Sequence, residues 1–130
     1  MQIVETLRYT PEHAWVQLLD DGSWAVGITY HAQGELGDIV FLELPEVGRQ
    51  LGAGEACAVV ESVKTASEIY APAAGTVLAV NTALTKTPER VNAQPYEAWL
   101  FKLQPGQASD ITTLLSAQAY CQSIGLDYAP

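Results

Sequence analysis

The chain has 130 residues, 48% of them hydrophobic, which is enough for one domain with its own packed core. Six Lys and Arg against fifteen Asp and Glu leave a formal charge of -9, which repels phosphate backbones and anionic lipid and excludes nucleic-acid or membrane-surface binding as the main role. No apolar run approaches the roughly 20 residues of a membrane span, and Cys57 and Cys121 lie far apart without metal-ligand spacing, so free thiols in a reducing compartment are expected.

Taken in order, the opening MQIVETLRYTPEH has neither the apolar run of a secretory signal nor the Arg- and Ser-rich character of a transit peptide, which predicts a bacterial cytoplasmic protein. Thr10 can cap a single helical turn with Pro11 at its first position. Strand patterns follow at AWVQLL (14–19) and SWAVGIT (23–29), joined by a hairpin turn at Asp20, Asp21 and Gly22. Residues 30–36 read as a short helix stopped by Gly37. Then come DIVFLEL (38–44), a loop at 45–48 and a tight bend at 52–54. EACAVVES (55–62), ASEIYAP (66–72) and GTVLAVN (75–81) are three further strand patterns, the last two separated by Pro72 and Gly75. WLFKLQ (99–104) is the last strand, and 109–124 has helical spacing, with Ile111, Leu114, Leu115 and Ile124 towards the sheet and Gly125 as the stop. The tail 126–130 is expected to fray. Seven short strands between turn signals predict an all-β sandwich or barrel.

Between CAVVESV and ASEIYAP stands Lys64, one of three lysines with Lys86 and Lys102. Both flanks are apolar enough to be strands, so the ammonium sits where the chain reverses. A lysine there can be a plain surface charge, a Schiff-base nucleophile or an attachment point. The nucleophile needs a lowered pKa, which Glu61 and Glu68 oppose. Attachment needs an unhindered tip, and Val63, Thr65, Ala66 and Ser67 supply it.

The strings VGITYHAQGELGDIVFLELPEVG and VVESVKTASEIYAPAAGTVLAVN resemble the H-protein of the glycine cleavage system, and the likeness runs from about Tyr9 to Tyr120. The resemblance implies a mostly β, lipoyl-domain-like barrel-sandwich hybrid with short flanking helices. It implies one lipoyl-carrier domain over 1–130, with the lipoyl hairpin at about 47–81 and a helical segment at about 109–124. It further implies lipoate attached covalently to Lys64. Glu61, three residues before the lysine, and Gly48, sixteen before it, match the family's recognition residues for lipoylation. Glu68 matches an acid of the arm-docking region, with one extra methylene. Methionines beside the lysine would have favoured biotin, but Val63 and Thr65 stand there.

The implied role is a non-catalytic shuttle. It would take an aminomethyl group from the pyridoxal-phosphate enzyme glycine decarboxylase to the folate-dependent aminomethyltransferase. It would then present the dithiol to dihydrolipoyl dehydrogenase, having been modified by lipoate-attaching enzymes. A carrier bound by several enzymes in turn is expected to be a monomer.

Two places depart from the family. Ala14 in HAW stands where HEW is common, and QPYEAW, with Gln94, replaces a longer DPYGEGW. Both are assigned to arm docking or partner contact, and they keep open a divergent lipoate relay for other lipoyl-dependent complexes; an unlipoylated interaction domain is a separate alternative, against which Lys64, Glu61 and Gly48 stand. His13 and His31 show no spacing to Cys57 or Cys121 that suggests a nucleophile–base pair, and His13 reads as capping or packing. Trp15, Trp24 and Trp99 read as core residues on strands.

Overall fold

The computed structural model describes residues 3–125 as two antiparallel sheets with short helices at their edges. The larger sheet contains, in spatial order, β1 (Arg8–Tyr9), β2 (Ala14–Leu18), β3 (Trp24–Ile28), β9 (Phe101–Pro105), β8 (Gly75–Val80) and β5 (Gln50–Leu51). The smaller contains β4 (Ile39–Glu43), β6 (Ala56–Ser62) and β7 (Ala66–Tyr70) in that order. This is the expected mostly β, lipoyl-domain-like arrangement, sandwich-like rather than a closed barrel. The first 2 residues and the tail 126–130, for which fraying was expected, lie outside the described residues.

Alternation along the strands builds the core. Ala14 and Val16 of β2 join Trp24, Val26 and Ile28 of β3, Val60 of β6, Ile69 of β7 and Leu103 of β9 in the main cluster. A fully buried Val, Leu or Ile is worth about 1.5–3 kcal/mol, so this layer dominates stability. On the other face of β2, Trp15 joins Tyr9 and Tyr120 in a second cluster. That face is covered by α3 (Ala117–Ser123), whose Tyr120 stacks on Tyr9 with ring centroids 4.7 Å apart. Trp15 lies across its cross-strand partner Gly27, where an added Cβ would come within 2.5 Å of the indole. Its Nε1 donates to Pro95 O at 2.9 Å, so the QPYEAW loop serves as a lid on the indole.

Helix α1 (Tyr30–Leu36) has the bounds that the sequence predicts. Thr29 caps it by accepting from Ala32 N at 3.1 Å, and Gly37 ends it at φ +80°. The Asp20–Gly22 hairpin also forms, with Gly22 at φ +87° and Asp21 Oδ1 accepting from Ser23 N at 3.0 Å.

Three expectations fail. Thr10 and Pro11 do not start a helical turn. Thr10 Oγ1 and O accept from Ala14 N and His13 N, at 3.1 Å in each case, closing a turn in which His13 takes φ +76°. The helix over 109–124 breaks in two. A 3₁₀ segment covers Ala108–Thr113, then Leu115 exchanges two backbone bonds with Tyr9, 2.9 and 2.7 Å, and Ser116 caps α3 afresh. The hydroxyls of Thr112 and Thr113 bond back to Ser109 O and Asp110 O, the competition that weakens such residues inside helices. The apolar residues accordingly part company, Ile111 and Leu114 packing on the main core and Leu115 and Ile124 on the second. Trp99 precedes β9 and is only half-buried, its ring 4.9 Å from the Lys102 ammonium. The Lys102 cation lies over its ring and the residue packs at the margin of the second cluster, whereas Trp15 and Trp24 are in the core. A short helix α2 (Arg90–Ala93) and a 3₁₀ turn at Thr82–Thr85 have no counterpart in the strand patterns.

Candidate functional site

Lys64 stands at the exposed tip between β6 and β7. Ser62 laces the turn. Its N donates to Thr65 O at 2.7 Å, while its hydroxyl donates to Thr65 O at 3.2 Å and accepts from Lys64 N at 3.3 Å and Thr65 N at 3.2 Å. From the neighbouring strand entry, Asp38 O accepts from Val63 N at 3.0 Å. The backbone is thereby fixed on both sides of the lysine. Its side chain is held by no salt bridge among the described residues, and the stem passes Gly37, where an added Cβ would sit 3.2 Å from Lys64 Cε.

Glu61 is half-buried near the end of β6, paired across to Ala66 of β7 and Phe41 of β4. It therefore lies on the outward face of the small sheet, one turn from the lysine. Val40, Phe41 and Val63 are more than half exposed around it. Gly48 is in the loop before β5, at φ +91°, its N–H donating to Val77 O at 2.8 Å. Its own surroundings are open, so the positive φ is what calls for glycine there.

Two depressions flank the hairpin. One, of about 440 Å³, is lined by Glu43, Glu46, Arg49, Ala58, Val59 and Glu68 among others. Glu68 faces it from the outward side of β7, across from Val59. The other, of about 310 Å³, has a floor of Ile28, Leu36 and Ile69 and a rim that includes Glu12, His13, Glu35 and Thr65. The structure thus places Glu68 and the His13 cluster in different depressions. Ala14 is buried in the main core opposite Ile28, so it does not form the outer surface that was assigned to it, whereas in QPYEAW Pro95 bonds the Trp15 indole while Gln94 and Glu97 are exposed.

At the second rim His13 Nδ1 lies 2.9 Å from Tyr120 Oη, which is 2.7 Å from Thr29 Oγ1. The ring of His13 is 4.8 Å from that of His31, and His31 Nε2 meets Glu35 Oε1 at 2.7 Å. Burial, then the His31 charge, holds His13 below the ordinary His value. Burial also pushes Tyr120 up to about 12 and the Cys57 thiol up to about 11, so both stay protonated at neutral pH. Cys121 is buried as well, with its pKa raised by burial. No metal-holding group of His, Cys, Asp and Glu occurs among the described residues, and no helix there is long and apolar enough to cross a membrane. The roles of Ser62, Asp38 and the His13 network were not visible in the sequence, since each depends on a neighbour brought in by the fold.

A family model described as Glycine cleavage H-protein matches residues 7–125. The chain is similar to a glycine cleavage system H protein from Azoarcus sp. (strain BH72), 57% identical over 122 residues that cover 94% of this chain and 96% of that one. It is 60% identical over 114 residues to one from Aromatoleum aromaticum, covering 88% and 89%. A crystal structure of a glycine cleavage system H protein from Mycobacterium marinum superposes with a TM-score of 0.84 at 41% identity, covering 95% of this chain and 100% of that chain.

Proposed function

The chain belongs to the glycine cleavage H-protein family, and from that premise we propose that it is the lipoylated shuttle of the glycine cleavage system, carrying its lipoyl group on Lys64. The observation that supports this most is a lysine whose backbone is bonded on both sides while its side chain stands free. Acylation turns the amine into an amide and removes its charge. The lipoyl group supplies thiol–disulfide exchange, which the buried Cys57 and Cys121 cannot. Tethering holds the cargo at high effective concentration for each partner's pocket.

The chain's own residues present, steer and shelter. Ser62 and Asp38 hold the tip. The outward face with Glu61 and the exposed Val40, Phe41 and Val63 gives an attaching enzyme both charge and apolar contact beside the lysine. Gly48 permits the turn before β5 and is read as part of that recognition surface. Glycine decarboxylase, aminomethyltransferase and dihydrolipoyl dehydrogenase are the partners that this role requires, met one at a time by a monomer in the bacterial cytoplasm. No nucleophile is asked of the carrier, in keeping with its protonated thiols.

The arm has two places to rest. The depression rimmed by Glu12, His13 and Glu35 is favoured by Gly37, over which the lysine stem passes and which directly follows the lining residue Leu36. There, carboxylates at the rim attract an aminomethyl ammonium. The groove of Glu68 is the second reading, supported by its size and its additional acids Glu43 and Glu46.

Glycine-dependent loading tests the function. Lipoylated protein incubated with glycine and a pyridoxal-phosphate glycine decarboxylase should gain one aminomethyl group by intact mass. A lipoylated protein that gains none is instead a relay for other lipoyl-dependent complexes.

A further inference from the structure

We infer that Asn92 is a positioning residue for the acylation of Lys64, acting through the segment 37–39 on which the lysine turn leans. This rests on the reading of Lys64 as the modified residue. Asn92 lies on α2, far from the hairpin in sequence and on no strand. Its Oδ1 accepts from Ile39 N at 2.8 Å, and its Nδ2 donates to Gly37 O at 2.8 Å and to Gln33 Oε1 at 3.0 Å. The amide orientation follows from chemistry, because a backbone N–H only donates and a backbone carbonyl only accepts. One half-buried side chain therefore ties the last turn of α1, the glycine that ends it and the first residue of β4.

That segment needs a tie. Gly37 has φ +80° and ψ -156°, a region that is essentially glycine-only and offers the chain wide freedom when unheld. What the segment carries is the lysine turn. Asp38 O, between the two clamped residues, accepts from Val63 N at 3.0 Å; Ile39 pairs with Ser62; and the Lys64 stem lies against Gly37. Releasing the clamp leaves the sheets intact and loosens the backbone next to the acylated residue. Because a displacement of about 1 Å at a reacting group can cost on the order of a hundredfold in rate, a partial loosening is expected to lower the rate of modification more than binding.

Asn92→Asp is the direct test. It keeps the acceptor for Ile39 and sets a carboxylate oxygen against the Gly37 carbonyl, which only accepts, so that bond is lost, while the Gln33 side-chain amide turns to donate to the carboxylate. In the unmodified full chain, amide hydrogen exchange at Val63 should rise about tenfold relative to Val60 in the core of β6. With lipoate, ATP and a lipoate–protein ligase, kcat for attachment should fall about tenfold while KM stays within twofold. Val91→Ala, which empties the buried neighbour on the same helix, serves as the stability control. It should lower the melting temperature and leave Val63 exchange and kcat unchanged. An Asn92→Asp protein with unchanged Val63 exchange and kcat overturns the inference, as does a Val91→Ala protein that loses kcat equally. If Asn92→Asp does not fold, Gln33→Ala removes one of the three bonds and must still raise Val63 exchange. Wild-type protein that is never acylated defeats the reading of Lys64, while the exchange data on the same unmodified chain still decide the clamp.

Discussion

Replacing Glu35 by Gln removes one carboxylate from the rim of the depression nearest the lysine stem, without changing its shape. The Glu35 side chain is 69% exposed, so its attraction for an ammonium belongs to the solvent-screened class worth about 0.2–1 kcal/mol. At about 1.4 kcal/mol per tenfold, that is roughly a 1.4- to 5-fold shorter lifetime of the aminomethyl-loaded carrier. Losing the pair with His31 costs stability only about 0.2–0.5 kcal/mol, as for other pairs four residues apart on a helix, so the fold remains. The assay is a time course of intact mass after removal of the decarboxylase, at low and high salt, for wild type, Glu35→Gln and Glu68→Gln. The wild-type advantage should shrink towards 1 M salt, where the Debye length is about 3 Å. A lifetime unchanged by Glu35→Gln but shortened by Glu68→Gln would refute this reasoning and put the arm in the groove of Glu43 and Glu68.

Three further outcomes bear on the scaffold. Ser62→Ala removes the hydroxyl that bonds Lys64 N, Thr65 N and Thr65 O, and should cost about 1 kcal/mol in chemical denaturation and slow lipoyl attachment; an attachment rate equal to wild type would dismiss the laced turn. Gly27→Ala drives a methyl to within 2.5 Å of the Trp15 indole, which Pro95 holds by a hydrogen bond, so a loss of about 1–3 kcal/mol should appear as a lowered melting temperature, and a normal one would mean the indole yields freely. His13 is held below the ordinary His pKa by burial and by His31, with Glu12 and Glu35 opposing, so the unfolded chain takes up its proton first as pH falls. Stability owed to neutral His13 is therefore complete above about pH 6.5 and drains below it. His13→Asn, which suits the φ of +76°, should flatten the fall in melting temperature between pH 7.5 and 5; an unaltered slope would assign that fall to other groups.

The strands and the lysine hairpin were legible because alternation and turn chemistry are local signals. Gly22, Gly37 and Gly48 all turn the chain at positive φ, each at a turn or helix end visible in the sequence. The segment 109–124 misled because Ile111, Leu114 and Leu115 have helical spacing, whereas the Tyr9 backbone claims Leu115 for a strand-like bridge. Trp99 misled because apolarity alone does not reveal that a cation will sit on its ring. At the site, Lys64, Glu61 and Gly48 came from motif position. The side that Glu68 faces came only from strand register, across from Val59, and the rim that Glu35 shares with His13 only from the placement of α1. Ser62 and Asn92 were silent, since a serine in a strand and an asparagine in a short helix announce nothing until their partners are in place.

The central claim is that Lys64 carries the lipoyl group, and the intact mass of the protein made with active lipoate attachment tests it most directly, beside Lys64→Arg. The account predicts a gain of one lipoyl group in the wild type and none in the variant. A wild-type protein that gains nothing under conditions that modify another carrier would contradict it and leave an unlipoylated interaction domain on the same scaffold.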